Sequence, residues 1–303
     1  MIIASADRIA EYTAKGWWGN VLLGDWLTRN ALQFPEREAL VDPPNRQQIT
    51  GGEARRITWR QTADAVERLA SYLLAVGLRK DDVVVIQLAN TWELLAVYFA
   101  CARIGVVASP LPAQYRENEL TNILRTTNAR AIICATRINK HDHAQMALQL
   151  ARQHPSVKYV LAVGERPPLG ALDLSEAIEH APDTQAIAKY VAANPVSAND
   201  ATTIVWTSGT ESNPKGVARS HNDWLIMAPF FAEQFGIEQG CRLLAGRQLV
   251  TCGSFTAYLV PWLVRAGTII LHHPFQLPLF LQQLREERIN FTLDYAPTSA
   301  SLI

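Results

Sequence analysis

Runs of apolar residues alternate with segments of helical periodicity along the first half of the chain. The β-branched run Val83-Val84-Val85-Ile86 predicts a buried strand. Between Thr58 and Gly77, apolar residues recur at helical spacing, and Thr58 and Gln61 have the spacing of a capping box. Further strands are predicted at 106–111, 131–134 and 157–163, with helices near 90–105, 117–127 and 146–151. Strands that are apolar throughout and separated by helices are typical of a parallel sheet covered on both faces.

Polar and proline-containing segments interrupt this pattern. A helix is predicted over 25–34, and residues 42–52, with two prolines and a glycine pair, are predicted to form an exposed loop. Residues 164–199 contain four prolines and are predicted to be a linker, which divides the chain into residues 1–199 and 200–303. The second part continues with strands and helices near 202–206, 222–235, 268–271, 279–287 and 291–293.

The last residues of the chain have the pattern of the start of a helix. Pro297 and Thr298 are typical of a new helix, yet the chain stops at the apolar pair Leu302-Ile303. Such a pair would have nothing to pack on, so we expect the chain to be part of a longer protein. A short C-terminal strand in the sheet is the alternative.

Composition excludes several classes of protein. Apolar residues make up 49% of the chain, which excludes global disorder. The 28 basic and 28 acidic side chains balance, which disfavours a nucleic-acid or anionic-membrane partner. No signal peptide or membrane-spanning segment is recognised. Four cysteines lack metal-site spacing and are predicted to be buried, reduced thiols of a cytoplasmic protein: Cys101, Cys134, Cys241 and Cys252.

A polar loop after strand 202–206 contains the candidate chemistry. Its residues are Thr207-Ser208-Gly209-Thr210-Glu211-Ser212-Asn213-Pro214-Lys215-Gly216, and a helical region is predicted to follow. Small residues, hydroxyl groups and a lysine are the parts needed to hold a polyphosphate. The loop is not a Walker A motif, because Pro214 stands where that motif has glycine and Gly216 directly follows the lysine. From these residues alone, a flexible polar connector is the alternative.

The segment T-S-G-T-E-S-N-P-K-G-V resembles the phosphate-loop signature of the adenylate-forming superfamily, which includes acyl- and aryl-CoA synthetases and aryl-acid–AMP ligases. Residues 57–59, 88–94, 102–111 and 219–222 also resemble motifs of this family, and they occur in the family's order. The resemblance covers the whole chain but only somewhat more than half of a typical member. It implies an α/β fold of two stacked subdomains with mainly parallel sheets flanked by helices.

The resemblance also implies a reaction. A carboxylate attacks the α-phosphorus of ATP to give an acyl-adenylate, and the thiol of coenzyme A then takes the acyl group. Fixed donors and Mg²⁺ must neutralise the phosphates. Catalytic roles are implied for Lys215 and Thr210, with Mg²⁺ at Thr210, and cofactor contacts for Thr207, Ser208, Gly209, Thr210, Glu211, Lys215 and Gly216. The motifs for adenine and the C-terminal domain with its catalytic lysine are missing, so we expect the isolated chain to be inactive.

Glu211 departs from the family pattern, because most members carry Thr or Ser at this position. A carboxylate beside phosphates is repulsive unless it faces solvent or joins the Mg²⁺ shell. A Glu211 side chain that faces solvent is favoured, since an exposed carboxylate changes the free energy of folding little.

The acid-binding wall is implied for the segment that contains Cys252, Gly253 and Phe255. Without a charged partner there, an apolar carboxylic acid (aliphatic, alicyclic or aromatic) fits better than an amino acid. Phe255 as an ordinary core residue is an equal alternative.

Several hypotheses stay open at this stage. The sequence favours an acid–CoA ligase, as in fatty acid metabolism, over an aryl-acid–AMP ligase that loads a carrier protein. A non-catalytic nucleotide-binding or assembly module is a third reading, and a homodimer is left open. His141 and His143 are predicted to be exposed on a helix, His272 and His273 to be structural, and His221 to pack behind the loop. Trp17 and Trp18 could anchor the N-terminal segment to the core or form a surface patch.

Overall fold

Two β-sheets flanked by helices organise the chain in this computed structural model, which describes residues 1–207 and 214–293. The first elements are α1 (Ala6–Ala14), α2 (Leu23–Gln33), β1 (Glu38–Val41), α3 (Arg46–Thr50), β2 (Arg56–Thr58), α4 (Trp59–Val76), β3 (Val83–Gln87) and α5 (Trp92–Arg103). They are followed by β4 (Val107–Pro110), α6 (Glu117–Thr127), β5 (Ala131–Ala135), α7 (His143–Gln153), β6 (Tyr159–Val163), β7 (Leu172–Asp173), α8 (Leu174–Glu179) and α9 (Thr184–Ala193). The last are β8 (Ala201–Trp206), β9 (Gly216–Ser220), α10 (His221–Leu225), α11 (Ala228–Gln234), β10 (Arg242–Ala245), α12 (Cys252–Ser254), a π-helix (Phe255–Leu259), α13 (Val260–Val264), β11 (Thr268–Leu271), α14 (Leu277–Glu286) and β12 (Phe291–Thr292).

The larger sheet has seven strands in the order β7-β6-β5-β3-β4-β8-β9. Its strands are parallel except for β9, which runs antiparallel to β8. Strands β3, β4 and β5 are buried at every residue, as expected where helices cover both faces. The α/β fold with mainly parallel sheets is therefore confirmed.

The smaller sheet has five strands in the order β12-β10-β11-β1-β2, and only β2 is antiparallel to its neighbour. Both sheets contain strands from before and after residue 200. Strands pair through backbone hydrogen bonds whatever their separation in sequence. Sheet membership therefore does not follow the predicted division between residues 1–199 and 200–303.

Helix α4 has the ends that the sequence predicts. The Thr58 hydroxyl accepts a hydrogen bond from the Gln61 N–H, and the Gln61 side-chain oxygen accepts one from the Thr58 N–H. Gly77 ends the helix with a φ of 109°, in the left-handed region where glycine is favoured. Local sequence therefore determines both ends of this helix.

Three predictions about the connecting segments are wrong. Residues 42–52 are not an exposed loop, because they contain α3 and a buried carboxylate, Asp42. Residues 164–199, predicted as a linker, contain β7, α8 and α9. The helix predicted over 222–235 is two helices, and the second has Pro229 in its first turn, where the missing N–H costs nothing.

One hydrophobic core joins the two sheets. It contains side chains of β1, β3 and β11 together with those of α4, α5 and α13. At its centre the rings of Trp59 and Trp262 stack with their centroids 4.5 Å apart, and the Trp262 indole donates to the Ala39 carbonyl of β1 at 2.9 Å. Trp18 is 4% exposed and anchors the N-terminal segment, whereas Trp17 is 51% exposed.

A buried charge cluster also links the sheets. The Arg46 guanidinium on α3 donates to Asp42, just after β1, and to Glu93, on the first turn of α5. Asp42 also accepts a hydrogen bond from the Trp92 N–H at 2.9 Å. Burial, together with the nearby Glu93 carboxylate, raises the pKa of Asp42 to about 6.

Within the described residues, no helix is both long enough and apolar enough to cross a membrane.

Candidate functional site

The predicted phosphate-binding loop joins β8 to β9 and is therefore the turn of a β-hairpin. The Thr207 N–H donates to the Lys215 carbonyl at 3.0 Å, and the Lys215 N–H donates to the Thr207 hydroxyl at 3.1 Å. Gly216–Ser220, for which the sequence predicted no element, pair with β8 as a strand before the helix predicted from about residue 222 begins. Helix α10 begins only at His221, at the far end of β9.

Thr207, Lys215 and Gly216 are exposed at the base of this hairpin. Among residues 1–207 and 214–293, no acidic side chain pairs with the Lys215 ammonium. Ser208, Gly209, Thr210 and Glu211 lie outside the described residues, and their contacts with phosphate and Mg²⁺ remain predictions.

Gly216 has a packing role in addition to its predicted one. A Cβ at this position would lie 2.9 Å from Cγ2 of Ile204 and 3.1 Å from the ring of Trp206. Those distances are too short for a side chain, so glycine lets β9 approach the side chains of β8. Close approach to a phosphate by the same residue stays a prediction.

The hairpin turn lies at the carboxyl edge of the larger sheet. Strands β4 and β8 are parallel, and near their carboxyl ends the Trp206 indole donates to the Ser109 hydroxyl at 2.9 Å. Ligands of open α/β sheets bind beyond the carboxyl ends of the strands. Thr207 and Lys215 therefore occupy the edge of the sheet where a nucleotide is expected.

The smaller sheet contributes a second loop, residues 246–251, to this edge. Asn90, just after β3, donates to the carbonyls of Arg247 at 2.7 Å and His272 at 3.1 Å. Its side-chain oxygen accepts from the Leu249 N–H at 2.9 Å. The sequence placed Asn90 at the start of a predicted helix and within the family motif at 88–94, without a contact to a second loop. A polar residue directly after a buried parallel strand was the signal that could have identified it.

A cavity of about 320 Å³ lies between this loop and the carboxyl edge. Gln248 closes one side, because it accepts from the Ala113 N–H at 2.9 Å and donates to the Gln114 side chain at 2.8 Å. The lining mixes apolar and hydrogen-bonding groups, and includes Pro112, Val250, Thr251, Ser254, His272 and Phe275. A small ligand could lie here with its polar group facing the larger sheet.

The predicted acid-binding residues are divided by the structure. Cys252 and Gly253 are exposed on α12, so the prediction that Cys252 is buried is wrong, while Cys101, Cys134 and Cys241 are buried. Phe255 is 1% exposed and stacks on Trp224 with centroids 4.8 Å apart. Neither Cys252, Gly253 nor Phe255 lines the cavity of about 320 Å³. Their contact with an acid remains a prediction.

Trp224 connects the predicted acid-binding segment to the predicted phosphate-binding hairpin. Its indole N–H donates to the Thr203 hydroxyl of β8 at 2.9 Å, while its ring packs on Phe255. Phe255 begins a π-helix, a rare conformation that often occurs at functional sites. A change in α12 would therefore be transmitted to β8 through direct packing.

Three buried histidines, His143, His272 and His273, lie near the carboxyl edge, and the last two line the cavity. The His143 ring contacts the Ala113 carbonyl at 3.0 Å, and the His272 ring contacts the Gln283 side chain at 2.6 Å. The prediction that His143 is exposed is therefore wrong. Burial lowers the pKa of both residues, and it lowers that of His273 to about 4. No group of described side chains is arranged to hold a metal ion.

We expect the free energy of unfolding to decrease as the pH falls from about 6.5 to 4. Burial lowers the pKa of both His221 and His273 to about 4, so the unfolded chain binds more protons in this range. Each residue contributes about 3 kcal/mol above pH 6.5, and about 2 kcal/mol of this is lost by pH 5. The raised pKa of Asp42 has the opposite effect, because protonation of its buried carboxylate stabilises the folded state as the pH falls. The net loss in the free energy of unfolding is therefore about 3 kcal/mol at pH 5.

Urea unfolding at pH 7.5 and pH 5.0 measures this change, and His273→Gln should reduce the pH dependence. A free energy of unfolding at pH 5.0 that equals or exceeds the value at pH 7.5 would contradict the expected net loss.

Comparison with known proteins agrees with this arrangement. A family model for AMP-binding enzymes matches residues 27–299. The chain is 31% identical to a 2-hydroxy-7-methoxy-5-methyl-1-naphthoate–CoA ligase of Streptomyces carzinostaticus, over 79% of this chain and 41% of the relative. It is 26% identical to the medium-chain fatty-acid–CoA ligase of Escherichia coli, over 88% of this chain and 44% of the relative. The chain thus spans less than half the length of either relative.

The fold is shared with a solved structure. The apo structure of MbtA from Mycobacterium smegmatis superposes with a TM-score of 0.81 at 22% identity, over 96% of this chain and 51% of that one. At this identity the likeness concerns the fold alone. The family model, by contrast, covers nearly the whole sequence, including the phosphate-binding hairpin. The chain therefore belongs to the AMP-binding enzyme family.

Proposed function

We propose that this chain supplies the phosphate-binding and acid-binding parts of an ATP-dependent acid–CoA ligase. The observation that supports this best is the position of the exposed Lys215 and Thr207 at the carboxyl edge of the larger sheet, in a chain of the AMP-binding enzyme family. A carboxylate oxygen attacks the α-phosphorus of ATP, the bond to pyrophosphate breaks, and an acyl-adenylate forms. The sulfur of coenzyme A then attacks the acyl carbon, and AMP leaves.

The hairpin residues fit the first of these steps. An anion must attack a polyanion, so positive charge and hydrogen-bond donors have to be in place before the bond forms. Lys215 and Thr207 are exposed and adjacent, since the Lys215 backbone N–H donates to the Thr207 hydroxyl. Ser208, Gly209 and Thr210 would complete the contacts to the β- and γ-phosphates. Mg²⁺, held with the help of Thr210, would supply further charge neutralisation.

The acid is proposed to be apolar. The two relatives above are named for a substituted naphthoate and for medium-chain fatty acids, both of which are apolar acids. Cys252 and Gly253 are exposed and carry no charge, and the cavity of about 320 Å³ is lined partly by apolar residues. An amino acid substrate would need a carboxylate partner for its ammonium group. A cytoplasmic location and a homodimer are kept as predictions from the sequence.

ATP–pyrophosphate exchange with a panel of carboxylic acids tests the proposal. The full-length product of the gene that encodes this chain should catalyse exchange with aliphatic or aromatic acids and not with amino acids. Addition of coenzyme A should then release the thioester. Transfer to a phosphopantetheinyl carrier protein instead would assign the carrier-loading reaction that Arg219-Ser220-His221-Asn222 suggests. No exchange with any acid would favour a non-catalytic nucleotide-binding module.

A further inference from the structure

A cavity of about 900 Å³ lies away from the phosphate-binding hairpin, between α2, α4, α5 and residues 191–196. Its volume is in the range of sites that bind small molecules. The lining is largely apolar and includes Leu27, Ala31, Val66, Phe99, Val191 and Val196. Nothing in the proposed reaction uses this cavity.

One buried polar side chain, His221, also lines the cavity. It is 1% exposed, and its Nδ1 accepts a hydrogen bond from the Leu23 N–H at 3.2 Å. An Nδ1 that accepts must be unprotonated, so the neutral ring has its hydrogen on Nε2. Among the described residues, no group accepts a hydrogen bond from that Nε2–H. The cavity therefore contains an unpaired neutral donor in largely apolar surroundings, and such a donor favours a ligand that supplies an acceptor.

The charges around the cavity determine which acceptor fits. Arg103 pairs with Glu67 at 2.8 Å, and Arg60 pairs with Glu36 at 3.2 Å, so both arginines already have acidic partners. Asp25 and Asp64 also line the cavity and add negative charge. Burial lowers the pKa of His221 to about 4, so the ring is uncharged at neutral pH. A carboxylate is therefore disfavoured compared with an uncharged carbonyl oxygen.

The cavity is also separate from the proposed reaction site. His221 directly follows β9, whose last residue pairs with the first residue of β8, whereas the phosphate-binding turn lies at the opposite end of both strands. Five residues of strand correspond to about 15 Å. A ligand beside His221 is therefore not in contact with the phosphates of a bound nucleotide.

We propose that this cavity is a second ligand site, which binds a neutral amphiphile through an uncharged carbonyl group on the His221 Nε2–H and an aliphatic chain on the apolar lining. The occupant is an amide, ketone or ester with a chain of medium length. It differs from the acid of the proposed reaction in carrying no charge.

Calorimetric titration of the chain with octanamide tests this site, with octanoate and butanamide as comparison ligands at pH 7.5. Octanamide should bind at least about 10-fold more tightly than either, because octanoate is charged and butanamide is too short. Equal affinity for octanamide and octanoate, or no binding of octanamide, would overturn the proposal. The measurement needs neither ATP nor coenzyme A, so its failure is distinct from failure of the proposed reaction.

Two variants of His221 isolate the donor. Asparagine places an acceptor where Nδ1 lies but has no donor at Nε2, whereas glutamine places an amide nitrogen near Nε2. His221→Asn should weaken octanamide binding about 10-fold, and His221→Gln should retain it within about threefold. The opposite order would overturn the assignment of Nε2–H as the donor.

A cavity-filling variant and a control variant on the same helix test the proposal if the His221 variants fail to fold. Ala63 lines the cavity on α4, and Ala75 on the same helix is exposed outside it. Ala63→Trp should abolish octanamide binding, and Ala75→Trp should leave it unchanged. Undiminished binding by Ala63→Trp would show that octanamide binds elsewhere, for example in the acid-binding site.

Discussion

Replacement of Arg46 by methionine is expected to lower the free energy of unfolding by about 3–5 kcal/mol at pH 8. The Arg46 side chain is 9% exposed, and its partners Asp42 and Glu93 are 0% and 5% exposed. Methionine has a similar volume but no charge, so both carboxylates would stay buried without a cation. The expected loss is a large part of the 5–15 kcal/mol that is typical of a folded domain.

The pH dependence of this loss has a defined sign. Burial and Glu93 raise the pKa of Asp42 to about 6, whereas the Arg46 charge lowers it. Without Arg46 the folded-state pKa rises further above its unfolded value, so the stability of the variant decreases as the pH rises through that pKa. The difference between wild type and Arg46→Met should therefore be smaller at pH 5 than at pH 8.

Urea unfolding of both proteins at the two pH values measures the difference, and Arg60→Met is the matched control. Arg60 forms an ion pair of 3.2 Å with Glu36, but the two side chains are 60% and 78% exposed. Exposed pairs contribute little, so this control should change stability by less than about 1 kcal/mol. A loss below 1 kcal/mol for Arg46→Met as well would show that the buried cluster is hydrated or protonated.

The sequence predicted the parts of the fold that depend on local patterns. The capping pair Thr58 and Gln61, the glycine after α4 and the apolar run of β3 each form within a few residues, so periodicity and helix-end signals suffice. Continuous apolar strands also indicated the parallel sheet correctly. The resemblance of the hairpin residues to the family's phosphate loop also predicted the family that the comparison shows, whereas polyphosphate binding at the hairpin stays a prediction.

The errors concern features that depend on distant partners. Strand β9 contains glycine and an arginine and is only partly buried, so it forms because β8 lies beside it rather than from its own periodicity. From the sequence alone, Asp42 is predicted to be a loop residue. Its buried position follows from the packing of both sheets, which places Arg46 and Glu93 next to it. Asn90 likewise gains its role only when residues 246–251 fold back onto the larger sheet.

Replacement of Lys215 by alanine is expected to lower the rate of ATP–pyrophosphate exchange by about 100-fold, which is the size of effect found when one donor to a charged transition state is removed. Its ammonium is exposed at the carboxyl edge of the sheet and has no acidic partner among the described residues. The charge is therefore free to neutralise the developing pyrophosphate. Because Lys215 is exposed, the midpoint of thermal unfolding should not change.

Two further variants distinguish this role from a general effect of surface charge. Lys215→Arg keeps the positive charge on a bulkier group and should recover about 10-fold of the lost rate, since a displaced cation still stabilises phosphate charge. Lys189→Ala removes an exposed lysine on α9, outside the hairpin, and should leave exchange unchanged. Exchange by Lys215→Ala within threefold of wild type would show that the hairpin lysine does not contact the triphosphate. In that case Thr207 and the remaining residues of the turn would have to bind the nucleotide through backbone N–H groups and hydroxyls alone.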